Sequence, residues 1–284
     1  MTVKIVTDSC SDITQQEARK LGITVVPAYV HFGTLVYRDG VDIDCDEFYK
    51  KLALSSVHPS TATPSPGEFA SVYDDVSKET SEIVSIHVTR KHSGMYDSAL
   101  VAKGMVSEKG IKIAVIDSRG ITMWQGLTVI AAANAARLGC SLQTVIETAQ
   151  ATINQLHALA FLDTLRYAVK GGRLSNTIFA LESKLSLKTF ITLVNGEIRP
   201  VGATRSRRKA VERIRDFVSK SKFAEISIVH SNSAADAQVL ADYYRKLFPD
   251  VLPRIDKLGP VLGVHAGPGA LAIIARTAGD AKAC

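Results

Sequence analysis

The sequence predicts an α/β protein of two domains, an N-terminal parallel sheet flanked by helices over residues 1–155 and a C-terminal α+β domain with a mixed sheet over residues 156–284. A chain of 284 residues exceeds one average domain and falls short of three. Its first half alternates short β-branched runs with helical patterns, as a parallel sheet covered on both faces requires. Near residue 155 the alternation gives way to hairpins mixed with helices, with Asn195-Gly196 between two β-rich runs as the turn signal.

Each element has its own warrant. "VKIVTDSC" is a strand ending in small polar residues, and "SDITQQEARKLG" predicts a helix with Ser11 or Asp12 at the N-cap and Gly22 at the stop. "ITVVPAYVHF" reads as a second strand. "SSVHPSTATPSPGEF", bracketed by helical patterns, is expected to be a long functional loop. "SEIVSIHVTRKHSGMYDSALVAKGMV" and "IKIAVIDSRGITMWQGLTVIAAANAARLG" are strand-then-helix units, and "SLQTVIETAQATINQ" is a long helix. In the second half, "KTFITLVNGEIRPVGATRS" predicts a strand pair, followed by the basic helix "SRRKAVERIRDFVSKS", the strand "EISIVH" and the helix "SAADAQVLADYYRKLF". The closing stretch "KLGPVLGVHAGPGALAII" sets His265 among Gly259, Gly263, Gly267 and Gly269 and is expected as a glycine-bounded strand pair.

Composition narrows the function classes. With 46% hydrophobic and 22% charged residues the chain is globular, and no apolar run approaches the roughly 20 residues of a membrane span. The opening "MTVKIVTDSCSD" lacks a basic-then-apolar leader pattern, so a soluble cytoplasmic protein is expected. Cys10, Cys45, Cys140 and Cys284 are scattered without metal-binding spacing, which predicts reduced thiols and no metal site. A net charge of +6 fits an acidic partner or ligand, and fits ordinary solubility equally well.

Polar residues gather just past the strand ends: Thr7, Asp8 and Ser9; His92, Ser93 and Gly94; Asp117, Ser118 and Arg119. Open α/β sheets bind ligands at the carboxyl ends of their strands, where helix N-termini aim N–H groups at one crevice. The same residues are also good helix caps, so the clustering locates a pocket without naming its ligand. "GPGALA" has the letters of a dinucleotide loop but no βαβ unit after it, and no Walker loop occurs. Ser93, His265 and Asp8 are the residue types of a hydrolytic triad, yet "RKHSGMY" lacks the G-x-S-x-G elbow. His87 within "VSIHV" reads as a core residue, and Cys10 as a small buried residue rather than an activated thiol. The stripe "SRRKAVERIR" has no interleaved aromatics to mark a nucleic-acid face.

Seven stretches taken together, "IVTDSCSDI", "STATPSPGEF", "HSGMYDSA", "VIDSRG", "KGGRLS", "TRSRRKA" and "GPVLGVHAGPGAL", resemble the DegV family in order and register over essentially the whole chain. That family comprises fatty-acid-binding proteins, which in many bacteria are the binding subunit of fatty acid kinase. The resemblance implies a lipid tunnel at the domain junction, with headgroup residues falling on Thr61, Ser93, Gly94 and His265. It also implies that Arg173 in "KGGR" and Arg205 or Arg207 in "ATRSRRKA" dock the kinase subunit or meet phosphate. The chain would then be a non-catalytic lipid-binding subunit without a cofactor, its partner carrying the ATP. Where T-S-Q-P and L-S-G-T-Y are common in the family, this chain has Thr61-Ala62-Thr63-Pro64 and His92-Ser93-Gly94-Met95-Tyr96, which removes two polar side chains beside the carboxylate and adds a histidine. Asp8 and Ser9 are expected to organise their loop by bonding backbone amides. Two alternatives belong to other classes. One is a stand-alone hydrolase or phosphotransferase using Ser93 and His265; the other is a regulator that binds nucleic acid or protein through its basic helix.

Overall fold

A computed structural model of the protein describes residues 3–174, 187–218 and 223–278. The first sheet contains β1 (Lys4–Asp8), β2 (Ile23–Val26), β6 (Glu82–His87) and β7 (Lys112–Asp117) in the order β2-β1-β6-β7, all parallel. Helices α3 (Pro66–Ser77) and α4 (Met95–Met105) cover one face, where Phe69, Tyr73 and Ala99 pack with Val6 and Ile83. Helices α1 (Gln15–Leu21), α5 (Met123–Arg137) and α6 (Leu142–Gln155) cover the other, where Val129, Ala133 and Val145 pack with Ile5, Val84 and Ile86. Successive side chains of each strand are buried on opposite faces, which is why these strands are apolar throughout rather than alternating.

Two local expectations shift. Helix α1 is capped by Thr14, whose hydroxyl accepts from the Glu17 N–H, and not by Ser11 or Asp12. Asp8 accepts from the Cys10 N–H and folds Ser9–Ser11 into a 3-10 turn that Asp12 leaves in the left-handed region, at φ 53°. The expected second strand splits at Pro27-Ala28 into β2 and β3 (Tyr29–Phe32). Proline lacks the N–H a continuous ladder needs. Strand β3 leaves for a small antiparallel sheet of order β4-β3-β5, with β4 (Leu35–Arg38) and β5 (Ser60–Ala62). The Ser/Pro-rich stretch thus contains a short strand, and α2 (Cys45–Leu54) precedes it.

The second sheet has the order β10-β9-β8-β13-β11-β12, from β8 (Leu156–Leu162), β9 (Lys188–Val194), β10 (Glu197–Thr204), β11 (Phe223–His230), β12 (Arg254–Lys257) and β13 (Leu271–Thr277). Its neighbours run antiparallel except β11 and β12. Asn195 (φ 51°) and Gly196 (φ 82°) make the β9–β10 turn, as the dipeptide predicts. Helix α7 (Arg166–Lys170) follows β8, and helices α8 (Arg207–Val218) and α9 (Ala234–Leu247) cover one face, with Ile214, Leu240 and Tyr244 on Phe161, Ile228 and Ile273. The opposite face turns toward the first half, where Val229 and Ile274 pack with Met123, Trp124 and Leu127.

The closing glycine-rich stretch is not a strand pair. Gly259 is an N-cap, Pro260 occupies the first helical turn, and α10 (Pro260–Ala266) runs to Gly267 at φ 69° before β13 begins at Leu271. Proline at a first turn and a positive-φ glycine at the end are helix boundaries, and they enclose seven residues here. Val261 and Val264 of α10 are buried in the core of the first half beside Phe48 and Val30, although α10 lies near the end of the sequence. Gly263 makes this approach feasible, since a Cβ there would stand 2.5 Å from the Phe48 ring.

Among the described residues no helix is long and apolar enough to cross a membrane, and no cluster of metal-ligating side chains occurs. Among the described residues Cys10 and Cys45 are free thiols. Cys284 and Ser175 of "KGGRLS" lie outside the described residues.

Candidate functional site

An apolar cavity lies between the two sheets. Cys10, Val88, Met95 and Ile121 wall it from the carboxyl ends of the first sheet, Ala160, Ile191, Val229 and Ala272 from the second, and Val261 and Leu262 from α10. Its polar lining includes a cluster of Thr61, His92, Ser93, Arg173 and His265. The crevice lies where the strand-end clustering places it, at the carboxyl ends of β1, β6 and β7.

Thr61 and His265, 204 residues apart, meet here: Thr61 Oγ1 is 3.1 Å from His265 Nε2. Thr61 is fixed by the pairing of β5 with β3, opposite Val30, and His265 by the last turn of α10. The other ring nitrogen, Nδ1, is buried and has no hydrogen-bond partner among the described residues. It faces Gly171, where a Cβ would fall 2.1 Å away. Burial, followed by the charges of Arg173, His58 and His92, pushes the His265 pKa down to about 3. The ring is therefore neutral, with one N–H to share between Thr61 and a ligand.

Arg173 is held from both halves of the chain. Its Nε donates to the His92 carbonyl at 3.3 Å and its Nη1 to the Gly171 carbonyl at 2.7 Å. The His92 ring accepts the Ile198 N–H of β10 at 3.0 Å, and burial followed by Arg173 lowers its pKa. Ser93 lines the cavity, with its hydroxyl 3.4 Å from the Met95 N–H. Gly94 is the exposed N-cap of α4; it is not itself a lining residue, but its open side faces Thr63, which is. Arg205 is exposed, off the cavity lining. Arg207 is engaged elsewhere: its guanidinium bonds Asp163, Asp236, Ser233 and the Gly269 carbonyl.

Asp8 is committed to its own loop. Its carboxylate accepts from the Cys10 and Val88 N–H groups and contacts His87 Nδ1 at 2.9 Å, all buried. Ser9 accepts from the Ala28 N–H. His87 is fully buried, a core residue as expected. Among the described residues no carboxylate bonds His265, and Asp8 is bonded to its own loop and His87, so Ser93, His265 and Asp8 do not form a relay. Burial, then Asp8, pushes the Cys10 thiol well up, which makes it a poor nucleophile.

Two buried carboxylates anchor the start of α10. Asp12 accepts from the Gly259 N–H at 3.0 Å and from the Thr122 hydroxyl at 2.6 Å. Asp39 accepts from Ser9 and the Val261 N–H. Burial raises both, Asp39 to about 7. Sequence reasoning missed this anchor, and it missed Gly171 and His58. The Gly171-Gly172 pair signals a turn, but not that one glycine clears space for an imidazole. The His58 ring packs on Tyr167, 5.7 Å between centroids, and its proximity to Thr61 in "HPST" is the signal that could have found it.

A family model described as "Uncharacterised protein, DegV family" matches residues 2–278. A DegV domain-containing protein of Caldanaerobacter subterraneus is 34% identical over 275 residues, covering 95% of this chain and 97% of the relative. The crystal structure of DegV, a fatty acid binding protein from Bacillus subtilis, superimposes with a TM-score of 0.89 at 27% identity, over 98% of this chain and 100% of that one. A stearic acid-binding protein from Eubacterium ventriosum gives a TM-score of 0.87 at 27% identity, over 96% and 98%. A family model spanning nearly every residue, and relatives matched almost end to end, lead to one conclusion: the chain belongs to the DegV family.

Proposed function

We propose that this chain binds a long-chain fatty acid in the cavity between its sheets and presents the carboxylate to a separate ATP-dependent kinase, in the cytoplasm, for conversion to an acyl phosphate. The observation that carries this reading is a largely apolar cavity whose lining brings Thr61, Ser93, His265 and Arg173 together, with Thr63, Thr122, His230 and Ser231 as its other small polar or imidazole groups. Each hydrogen bond to a charged carboxylate contributes about 1.5–3 kcal/mol. A buried acyl chain adds about 0.8 kcal/mol per methylene, so roughly fourteen give a gross term near 11 kcal/mol before ordering costs. The chain supplies affinity, and the polar cluster fixes its register.

The neutral His265 suits this role, because an imidazole N–H and the Arg173 guanidinium together meet a carboxylate without a metal. The kinase step draws support from the family resemblance and from the absence of a nucleotide loop in the sequence. Exposed Arg205 is available to a docking partner, whereas Arg207 is occupied by its own ion pairs.

The test is extraction of the purified protein with organic solvent followed by mass spectrometry, together with uptake of labelled fatty acid. Stoichiometric fatty acid supports the reading, and a protein that is empty and takes up none overturns it. Acyl phosphate formation from ATP should need an added kinase. Formation by the purified chain alone, or ester hydrolysis abolished by His265→Ala, would move the assignment to an enzyme.

A further inference from the structure

Ala160 and Ala272 occupy β8 and β13, the two central strands of the six-stranded sheet, where a packed core ordinarily places large side chains. They are direct cross-strand partners and belong to one row across four strands. Ile191 of β9 pairs with Ala160, Ala160 with Ala272, and Ala272 with Val229 of β11. All four line the cavity. Paired residues share a face of the sheet, so the row is a furrow with small side chains in the middle and large ones at its ends. The alternate residues Leu159, Phe161 and Ile273 face the other way, into the core under α8 and α9. Ala160 and Ala272 are each partly accessible despite their central strands, because the cavity lies over them.

The furrow has a direction. Ile191 stands next to β10, whose Ile198 N–H bonds the same His92 that holds Arg173, so this end adjoins the polar cluster. At the other end Val229 pairs with Asp256 of β12, whose carboxylate is tied to Ser227 and Arg254, and Arg254 to Glu17. None of these charged residues lines the cavity, so the row of lining residues ends at Val229. From β9 to β11 the row crosses three strand gaps, about 14 Å.

We infer that this row measures the ligand. Resting on the fatty-acid reading above, Ala160 and then Ala272 are the successive positions that an unbranched acyl chain must pass, and Val229 marks the limit of its reach. One strand gap of about 4.8 Å corresponds to roughly four methylenes at about 1.25 Å rise per staggered carbon. A leucine at either alanine would therefore truncate the accepted chain by an amount set by its strand.

The experiment compares wild type, Ala160→Leu, Ala272→Leu and Val229→Ala, by mass spectrometry of extracted ligand and by competition across a series of saturated fatty acids. Ala160→Leu should shift the preferred length down furthest, Ala272→Leu by roughly four carbons less, and Val229→Ala should extend it. An unchanged length preference, or the reverse order of the two leucine variants, overturns the inference while leaving fatty-acid binding intact. Should the leucine variants fail to fold, judged by circular dichroism, Val229→Ala decides: an unchanged upper limit of length overturns the ruler. A wild-type protein that binds no fatty acid removes the reading on which the ruler stands.

Discussion

Gly171 is the position at which a single methyl group should cost the most binding. Its φ of −77° suits any residue, so the substitution Gly171→Ala brings no backbone strain. The added Cβ would lie 2.1 Å from His265 Nδ1, 2.8 Å from its Cε1 and 3.2 Å from the Tyr167 carbonyl. Carbon and nitrogen in contact need about 3.5 Å, so the ring must move by more than 1 Å. Moving it breaks the 3.1 Å contact with Thr61 and takes the imidazole N–H away from the carboxylate. Losing one charge-assisted hydrogen bond costs about 1.5–3 kcal/mol, which is roughly a tenfold to 150-fold weaker Kd. The neighbouring Gly172 is the control: its φ is +73° with nothing within 4 Å of an added Cβ, so Gly172→Ala should cost stability through strain and leave the imidazole in place. The assay is titration with fatty acid, followed by the fluorescence of Trp124, the single tryptophan, beside measured unfolding midpoints. Wild-type affinity in Gly171→Ala, or an equal loss of affinity in both variants, would refute the reasoning.

Four further outcomes follow from the ionisable groups. His265 is held at about 3, below the ordinary 6.5, so the fold binds fewer protons than the unfolded chain between those values. Its contribution is fully present above about pH 6.5 and is lost as pH falls toward 3, so wild type should lose about 1–2 kcal/mol more than His265→Gln between pH 7.5 and 5 in urea titrations. Asp39, raised to about 7 from 3.8, has the opposite sign: the fold binds more protons, and stability is lost as pH rises between those values. Asp39→Asn should be more stable than wild type by about 1–3 kcal/mol at pH 8 and nearly equal to it at pH 4; a less stable variant at pH 8 would contradict the desolvation argument. Arg207→Met strands Asp163 and Asp236 and should lower stability by about 1–3 kcal/mol with ligand affinity unchanged, whereas Arg205→Ala should leave the thermal midpoint unmoved and report only on partner docking.

Much of the framework was legible because its signals are local. The parallel first sheet follows from apolar strands alternating with helical patterns, and the β9–β10 turn from Asn195-Gly196, whose backbones adopt the positive φ that few other residues tolerate. The reading of Asp8 as a loop organiser and of His87 as a core residue agrees with their buried mutual contact. What misled was equally local. Gly259, Gly263, Gly267 and Gly269 look like the bounds of a strand pair until it is known that Phe48 and Tyr167 need the space at two of them. Ser11 and Asp12 look like caps, but Asp8 closes the turn before a helix can start there.

The sequence by itself determined the fold class, the hairpin, the strand ends that form the crevice and, through seven short motifs in register, the family. Only the tertiary structure decided which of the proposed residues stand together. It joined Thr61 to His265 across 204 positions, pinned Arg173 between the two halves and withdrew Arg207 into ion pairs of its own. It also aligned Ile191, Ala160, Ala272 and Val229 into one furrow. The physical reason is range: caps, turns and periodicities act within a few residues, whereas a binding site is made of contacts whose partners are chosen by sheet order and register, and no short stretch of sequence records those.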